Sequence, residues 1–313
     1  MTPTVWAAVS PLPLTTSRDT PSSTPTRRAS STVAPPTSTD TPTPGPTVAD
    51  PRTPSTPVLD QWEGAPSGGW AVREEHRLGE YYVREWCDAN AGNVFGCYVT
   101  IDAPGQPSVT QYGLIVSEYL GLDLTGEGYP AVVIFSTPLV GMSSGNMYVY
   151  TLGTTARNVF SSPPVNCRGE FRDIDGDGRF EYVTCDAGVA FRYCAGIAAS
   201  TAAVNLVLQY DQQLQTYVVA NEAFPAWYED EIARAEALAA TAVPNGHGEG
   251  DDTTKCGVLP LVLTYLFLKD DAAAWNALRT YYAYSDVAPF QAGIAEAVHD
   301  SPFYAQLTSL YVQ

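Results

Sequence analysis

The stretch Asp173-Ile174-Asp175-Gly176-Asp177-Gly178-Arg179-Phe180-Glu181 constrains this chain more tightly than any other. Acidic side chains at loop positions 1, 3 and 5 converge on one point only if the backbone curls sharply, and Gly178 at position 6 supplies the freedom for that curl. Arg179, at position 7, offers its carbonyl. Glu181, at position 9, stands where a carboxylate closes the set. Calcium takes six to eight oxygens in a flexible arrangement, whereas magnesium wants a tighter octahedron with more water. The expected metal ligands are therefore Asp173, Asp175, Asp177, Arg179 and Glu181, and the expected ion is Ca2+. Thr184 occupies position 12, where an EF-hand has Glu, and both flanks read as strand, which argues against an EF-hand. The competing reading is an Asp/Gly surface turn that binds nothing.

A weaker copy lies fifty positions earlier, in Asp123-Leu124-Thr125-Gly126-Glu127-Gly128-Tyr129-Pro130-Ala131. Asp123, Thr125 and Glu127 fall at positions 1, 3 and 5, and Gly128 at position 6. Ala131 stands where the first copy has Glu181, so the closing carboxylate is gone. These three residues form a second, weaker metal candidate; the alternative is a turn that has kept its shape without an ion.

The two loops resemble the FG-GAP or VCBS-type repeats of integrin-like β-propellers, in which an Asp-x-Asp-x-Asp-Gly-x-x-Asp loop joins two strands of a blade and binds calcium. The matching residues are Asp173, Asp175, Asp177, Gly178 and Glu181, with Glu in place of the last Asp. The resemblance covers about 115–190. A period near fifty residues suits a propeller blade. Two copies are legible, whereas a closed ring needs four or more, so the resemblance implies a partial propeller or a β domain built of blade-like hairpins.

Outside the loops, residues 58–222 read as β. Short β-branched and aromatic runs such as Tyr98-Val99-Thr100-Ile101, Val132-Val133-Ile134-Phe135 and Val204 through Tyr210 recur between Gly, Pro, Asn and Asp. From Pro225 the period becomes helical: Trp227, Ile232, Ala235, Leu238 and Ala239 share a face, with Glu229, Asp230 and Glu231 in the first turn. Further helices are expected at 257–269, 271–283, 286–298 and 301–311, with Asp271 and Asp286 as N-caps. The fold class expected is α+β: an antiparallel β domain with blade-like hairpins over 58–222, then a C-terminal helical domain over 223–313.

Of the first 57 residues, 36 are Pro, Thr or Ser. Such a tract cannot bury enough apolar surface to order itself, and it reads as a disordered, extended stalk over 1–57. A stalk ahead of a cysteine-bearing domain fits the outside of a cell. Met1-Thr2-Pro3-Thr4-Val5-Trp6 has neither a basic nor an apolar leader region, so the expectation is an extracellular or cell-surface protein whose signal peptide is not present in this chain. The longest apolar run, Val258 to Leu268, is too short to span a bilayer. The formal net charge of −18 argues against nucleic acid as a partner and against an anionic membrane surface.

Six cysteines allow fifteen pairings. Cys87 and Cys97 flank a short turn-rich segment. Cys167 and Cys185 flank the acidic loop, on what reads as two strands of one hairpin. That leaves Cys194 with Cys256, joining the β part to the helical part. The alternative is six buried free thiols. No Cys-x-x-Cys occurs, which excludes thioredoxin-like and zinc-ribbon readings.

No catalytic residue is assigned. Gly141-Met142-Ser143-Ser144-Gly145 matches a nucleophile elbow, but Asn146 to Tyr150 reads as strand where the elbow needs a helix. His76, His247 and His299 show no metalloprotease spacing. Tyr81-Tyr82, Trp86, Trp227-Tyr228 and Tyr281-Tyr282-Tyr284 offer faces for sugar stacking, although filling a core is the favoured account. The expected function is a non-catalytic, calcium-stabilised binding or adhesion-type module. Its partner, by the resemblance, is a protein or a surface polysaccharide. The alternative is a secreted hydrolase whose paired carboxylates the sequence does not single out.

Overall fold

A computed structural model describes residues 69–88, 96–136, 145–163, 167–194, 202–242 and 252–309. The stalk expected over 1–57, Ser143 and His247 lie outside the described residues. The described part belongs to one compact unit, Thr56–Gln313.

Three four-stranded antiparallel sheets follow one another along the chain. The first holds β1 (Trp70–Leu78), β2 (Tyr81–Asp88), β3 (Cys97–Asp102) and β4 (Val109–Tyr112). The second holds β5 (Leu114–Ile115), β6 (Ala131–Ser136), β7 (Asn146–Leu152) and β8 (Ala156–Ser161). The third holds β9 (Glu170–Arg172), β10 (Glu181–Asp186), β11 (Val204–Asp211) and β12 (Thr216–Val219). In each, spatial order equals sequence order, so every sheet is a meander. The second strands begin at Tyr81, Ala131 and Glu181, fifty residues apart each time.

The period-2 alternation of strand side chains places these sheets against one another. In β6, Val132 and Ile134 join a core with Tyr81, Val83, Val99 and Ile101 of the first sheet. Ala131 and Val133, on the opposite face, join the larger core shared with the third sheet and the helices. Both faces of the second sheet are thus covered, which is why β6 opens with four fully buried residues, Ala131 to Ile134. The Phe160 ring of β8 meets Tyr182 of β10 and Tyr217 of β12, with centroids 5.0 and 5.3 Å apart. The Phe160–Tyr182 pair is edge-to-face, a geometry that adds about 0.5–1.5 kcal/mol beyond area burial.

Five α-helices complete the described residues: α1 (Pro225–Thr241), α2 (Asp252–Phe267), α3 (Asp271–Tyr281), α4 (Val287–His299) and α5 (Pro302–Ser309). The molecule is therefore a mixed α+β protein, with antiparallel sheets first and helices last. Val207 of β11 packs with Phe224 and Tyr228 at the start of α1. Asn221, fully buried, ties the two parts by hydrogen bonds: its Oδ1 accepts from the Val207 N–H at 3.0 Å and its Nδ2 donates to the Phe267 carbonyl at 3.0 Å.

Several local expectations need correction. Tyr228, not Leu238, joins Ala235 and Ala239 on the buried side of α1, and Leu238 is 40% exposed. Glu229, Asp230 and Glu231 follow the first turn of α1, which carries no acid. Helix α2 begins at Asp252 rather than 257, drawing the polar Asp-Thr-Thr segment into the helix ahead of Cys256. Asp270, not Asp271, caps α3, accepting from the Ala273 N–H at 2.9 Å. Asp286 precedes α4 without a side-chain cap bond, because its carboxylate is engaged by the Tyr282 hydroxyl at 2.8 Å and Lys255 at 3.0 Å.

All three expected cysteine pairs are disulfides. Cα–Cα separations are 4.2 Å for Cys87–Cys97 and 5.6 Å for both Cys167–Cys185 and Cys194–Cys256. Cys87 and Cys97 are direct register partners on β2 and β3. Cys167 differs from expectation: it lies ahead of β9, not on it. Persistent disulfides of this number indicate an oxidising environment. No helix among the described residues is long and apolar enough to cross a membrane.

Candidate metal site

Both acidic loops join the first two strands of a meander: 116–130 between β5 and β6, and 173–180 between β9 and β10. Their backbones follow the same course. Gly126 and Gly176 have φ of +72° and +77°, and Gly128 and Gly178 have +84° and +86°. These left-handed values are why glycine stands at positions 4 and 6.

The side chain at position 1 organises each curl. Asp173 Oδ1 accepts from the Gly176 N–H at 2.7 Å and Oδ2 from the Gly178 N–H at 3.2 Å. Asp123 does the same with Gly126 at 2.9 Å and Gly128 at 2.7 Å. Position 3 then accepts from the N–H of position 5: Asp175 Oδ1 from Asp177 at 3.1 Å, and Thr125 Oγ1 from Glu127 at 3.4 Å.

Beyond this shared frame the loops differ in chemistry. In the 173–181 loop, one carboxylate oxygen from each of Asp173, Asp175 and Asp177 lies within 4.8 Å of the other two, and all three residues are exposed. Glu181 does not belong to this trio. It is the first residue of β10 and is fully buried. Its Oε2 accepts from the Ile174 N–H at 2.9 Å, while its Oε1 is buried without a hydrogen-bond partner. Burial pushes the Glu181 carboxyl above the usual range; the Ile174 N–H offsets this in part, and Asp175 and Asp177 add to it. An orphaned buried carboxylate oxygen is costly. One such oxygen, in the same nine-residue loop as three clustered exposed carboxylates, is a donor set of the kind a cation would satisfy.

Arg179 contributes its side chain as well as the carbonyl considered from sequence. Its Nε donates to Asp177 Oδ2 at 2.7 Å, and a second guanidinium nitrogen contacts the same oxygen. This contact, with the Arg179 N–H on Oδ1, holds Asp177 below the usual carboxylate range. Arg179 thus supplies a counter-charge inside the acidic loop.

In the 123–131 loop, Glu127 is turned away from the curl. Its Oε2 pairs with Arg157 of β8 at 2.9 Å and its Oε1 accepts from the Tyr210 hydroxyl of β11 at 3.1 Å. Asp123 is used by the turn, and Thr125 is fully buried. The weaker copy is therefore satisfied by protein groups.

The two loops also touch. The Leu124 carbonyl accepts from the Phe180 N–H at 3.1 Å and from the Tyr217 hydroxyl at 3.0 Å. The Arg179 stem lies against Gly126, where an added Cβ would stand 2.5 Å from Cγ.

One further group of possible ligands, Glu85 with Cys87 and Cys97, is closed to a metal by the disulfide. Of the aromatics considered for stacking, Tyr81, Trp86, Tyr228 and Tyr282 are buried. Tyr129, which the sequence reading passed over, is 41% exposed. It lines an open groove of about 620 Å³ with Glu127, Arg157, Gln212 and Gln215. No protein-family model matches the chain, and no curated protein or solved structure matches it at a significant level.

Proposed function

We propose that this protein is an extracellular, non-catalytic binding module whose 173–181 loop is pinned by calcium. The reading rests on one observation: three exposed aspartate oxygens within 4.8 Å of one another, in a loop whose last residue, Glu181, keeps a buried Oε1 without a partner. Asp173, Asp175, Asp177, the Arg179 carbonyl and Glu181 would hold the ion. Calcium would neutralise the cluster and lock the β9–β10 connection. The three fifty-residue meanders, stacked face to face, support a propeller-like reading of the β part, with the helices covering the third meander. The disulfides support a location outside the cell. The partner would be a protein or a surface polysaccharide.

Thermal unfolding tests the calcium. Ligand binding to the folded state alone raises the melting temperature. Millimolar calcium should raise Tm relative to a chelator. Asp175→Ala should remove most of that difference, and Thr125→Ala should leave it intact. Melting indifferent to calcium would reduce the loop to a turn.

A further inference from the structure

We propose that the groove beside the 123–131 loop binds a neutral saccharide chain. The proposal rests on the binding-module reading and gives that module its partner. The groove lies between this loop, the β7–β8 turn and the tip of the β11–β12 hairpin, and its volume of about 620 Å³ is within the range of small-ligand sites.

Its chemistry selects the ligand class. Glu127 and Arg157 form a pair at 2.9 Å, and the Tyr210 hydroxyl joins both, at 3.1 and 3.0 Å. The pair leaves the described lining without net charge. On a chain of net charge −18, that disfavours a polyanion. The lining carries planar polar groups, the paired guanidinium and carboxylate and the amides of the exposed Gln212 and Gln215, and so offers both donors and acceptors, as adjacent sugar hydroxyls require. Tyr129 adds a platform. One ring face covers Gly153, whose missing Cβ would stand 3.4 Å from three ring atoms. A ring held in this way can stack against the C–H face of a sugar. A protein partner would instead want an apolar centre, and Tyr129 is the only large apolar side chain in the described lining.

The frame is braced from the first sheet. The Gly153 carbonyl accepts from the Tyr81 hydroxyl at 3.1 Å, and the Thr154 carbonyl from Gln106 Nε2 at 2.8 Å. A second observation lies on the opposite wall. Gln215 is exposed and has φ of +55°, a left-handed conformation that glycine adopts at lower cost. Strain of this kind gathers at ligand-contacting positions. Here it places a glutamine where a turn alone would be better served by glycine.

The test is isothermal titration of the full chain, in calcium, with gluco-, manno-, galacto- and arabino-hexaoses and with polygalacturonate. At least one neutral hexaose should bind. Tyr129→Ala should weaken binding by about tenfold or more, a change of about 1.4 kcal/mol, and Tyr129→Phe should retain it. Gln215→Gly should weaken binding while keeping or raising Tm, an outcome that a purely structural role would not produce. The proposal is overturned if no neutral hexaose binds, if only polygalacturonate binds, or if Tyr129→Ala and Gln215→Gly both bind as wild type. Calcium-dependent melting without sugar binding would sink the groove and leave the calcium loop standing. Sugar binding with calcium-indifferent melting would do the reverse.

Discussion

The main-chain N–H of Phe180 donates to the carbonyl of Leu124 across 3.1 Å, joining two loops more than fifty residues apart in sequence. The same carbonyl accepts from the buried Tyr217 hydroxyl. Each loop is shaped by its own aspartate and glycines, but this contact sets one against the other. Ordering the 173–181 loop therefore bears on the loop that lines the groove.

Gly126 should tolerate substitution less well than Gly128. Both need a left-handed backbone, which costs a non-glycine residue about 1–2 kcal/mol. A Cβ at Gly128 would meet nothing within 4 Å, whereas one at Gly126 would drive into the Arg179 stem. Chemical denaturation of Gly126→Ala and Gly128→Ala should show the larger loss for Gly126, by about 1 kcal/mol or more. Gly126→Ala should also disturb the Arg179–Asp177 contact and lower calcium affinity. Equal losses would mean that Arg179 moves aside without cost.

Glu85 should make stability fall as pH rises. It is fully buried, with Arg73 at 2.6 Å and the Ile115 N–H donating to its Oε2 at 2.8 Å. Burial raises its folded-state pKa above the ordinary 4.5, and these contacts offset that only in part. The folded protein then holds a proton that the unfolded chain releases. The stabilisation is complete below the ordinary value and is lost as pH climbs through the raised one. Glu85→Gln keeps an acceptor for Ile115 and removes the charge. Denaturation midpoints of the variant across pH 4 to 7 should be flatter than those of wild type; parallel curves would refute the assignment.

The disulfides should differ in worth by the length of chain each closes. Cys194–Cys256 spans 62 residues and Cys87–Cys97 spans 10. On the chain-entropy account, the longer closure contributes about 1.5 kcal/mol more. Paired Cys→Ser variants, compared by urea unfolding, should rank Cys194–Cys256 as the costlier loss. The opposite ranking would show that contacts near β2 and β3, not chain entropy, dominate.

Much of this arrangement was legible in the residues. The runs at Tyr98 to Ile101, Val132 to Phe135 and Val204 to Tyr210 are strands because β-branched and aromatic side chains suit a pleated, half-buried surface. Two cysteine pairs, Cys87–Cys97 and Cys167–Cys185, followed from what each flanks, and Cys194–Cys256 followed by elimination. The start of α1 at Pro225 followed from the change of period. The misreadings were of a different kind. Leu238 was placed inside by periodicity, but Tyr228 fills that side of α1, its hydroxyl donating to the Asn205 carbonyl at 3.1 Å. Asp286 was read as a cap, yet Lys255 and Tyr282 hold its carboxylate.

What the sequence alone determined is local: which segments extend, which coil, where glycine must turn, and that Asp173, Asp175 and Asp177 can meet. Dihedral preference and short-range hydrogen bonding act over that distance, so spacing is enough to read them. What only the tertiary structure decided is whether each charged group is spent or left over. Glu127 and Glu181 belong to acidic loops of near-identical course, at positions 5 and 9, but the first meets Arg157 and Tyr210 while the second keeps a buried oxygen without a donor. Arg157 and Tyr210 lie 30 and 83 residues from Glu127. Burial and ion pairing depend on what packing brings alongside, and no spacing within a loop encodes that.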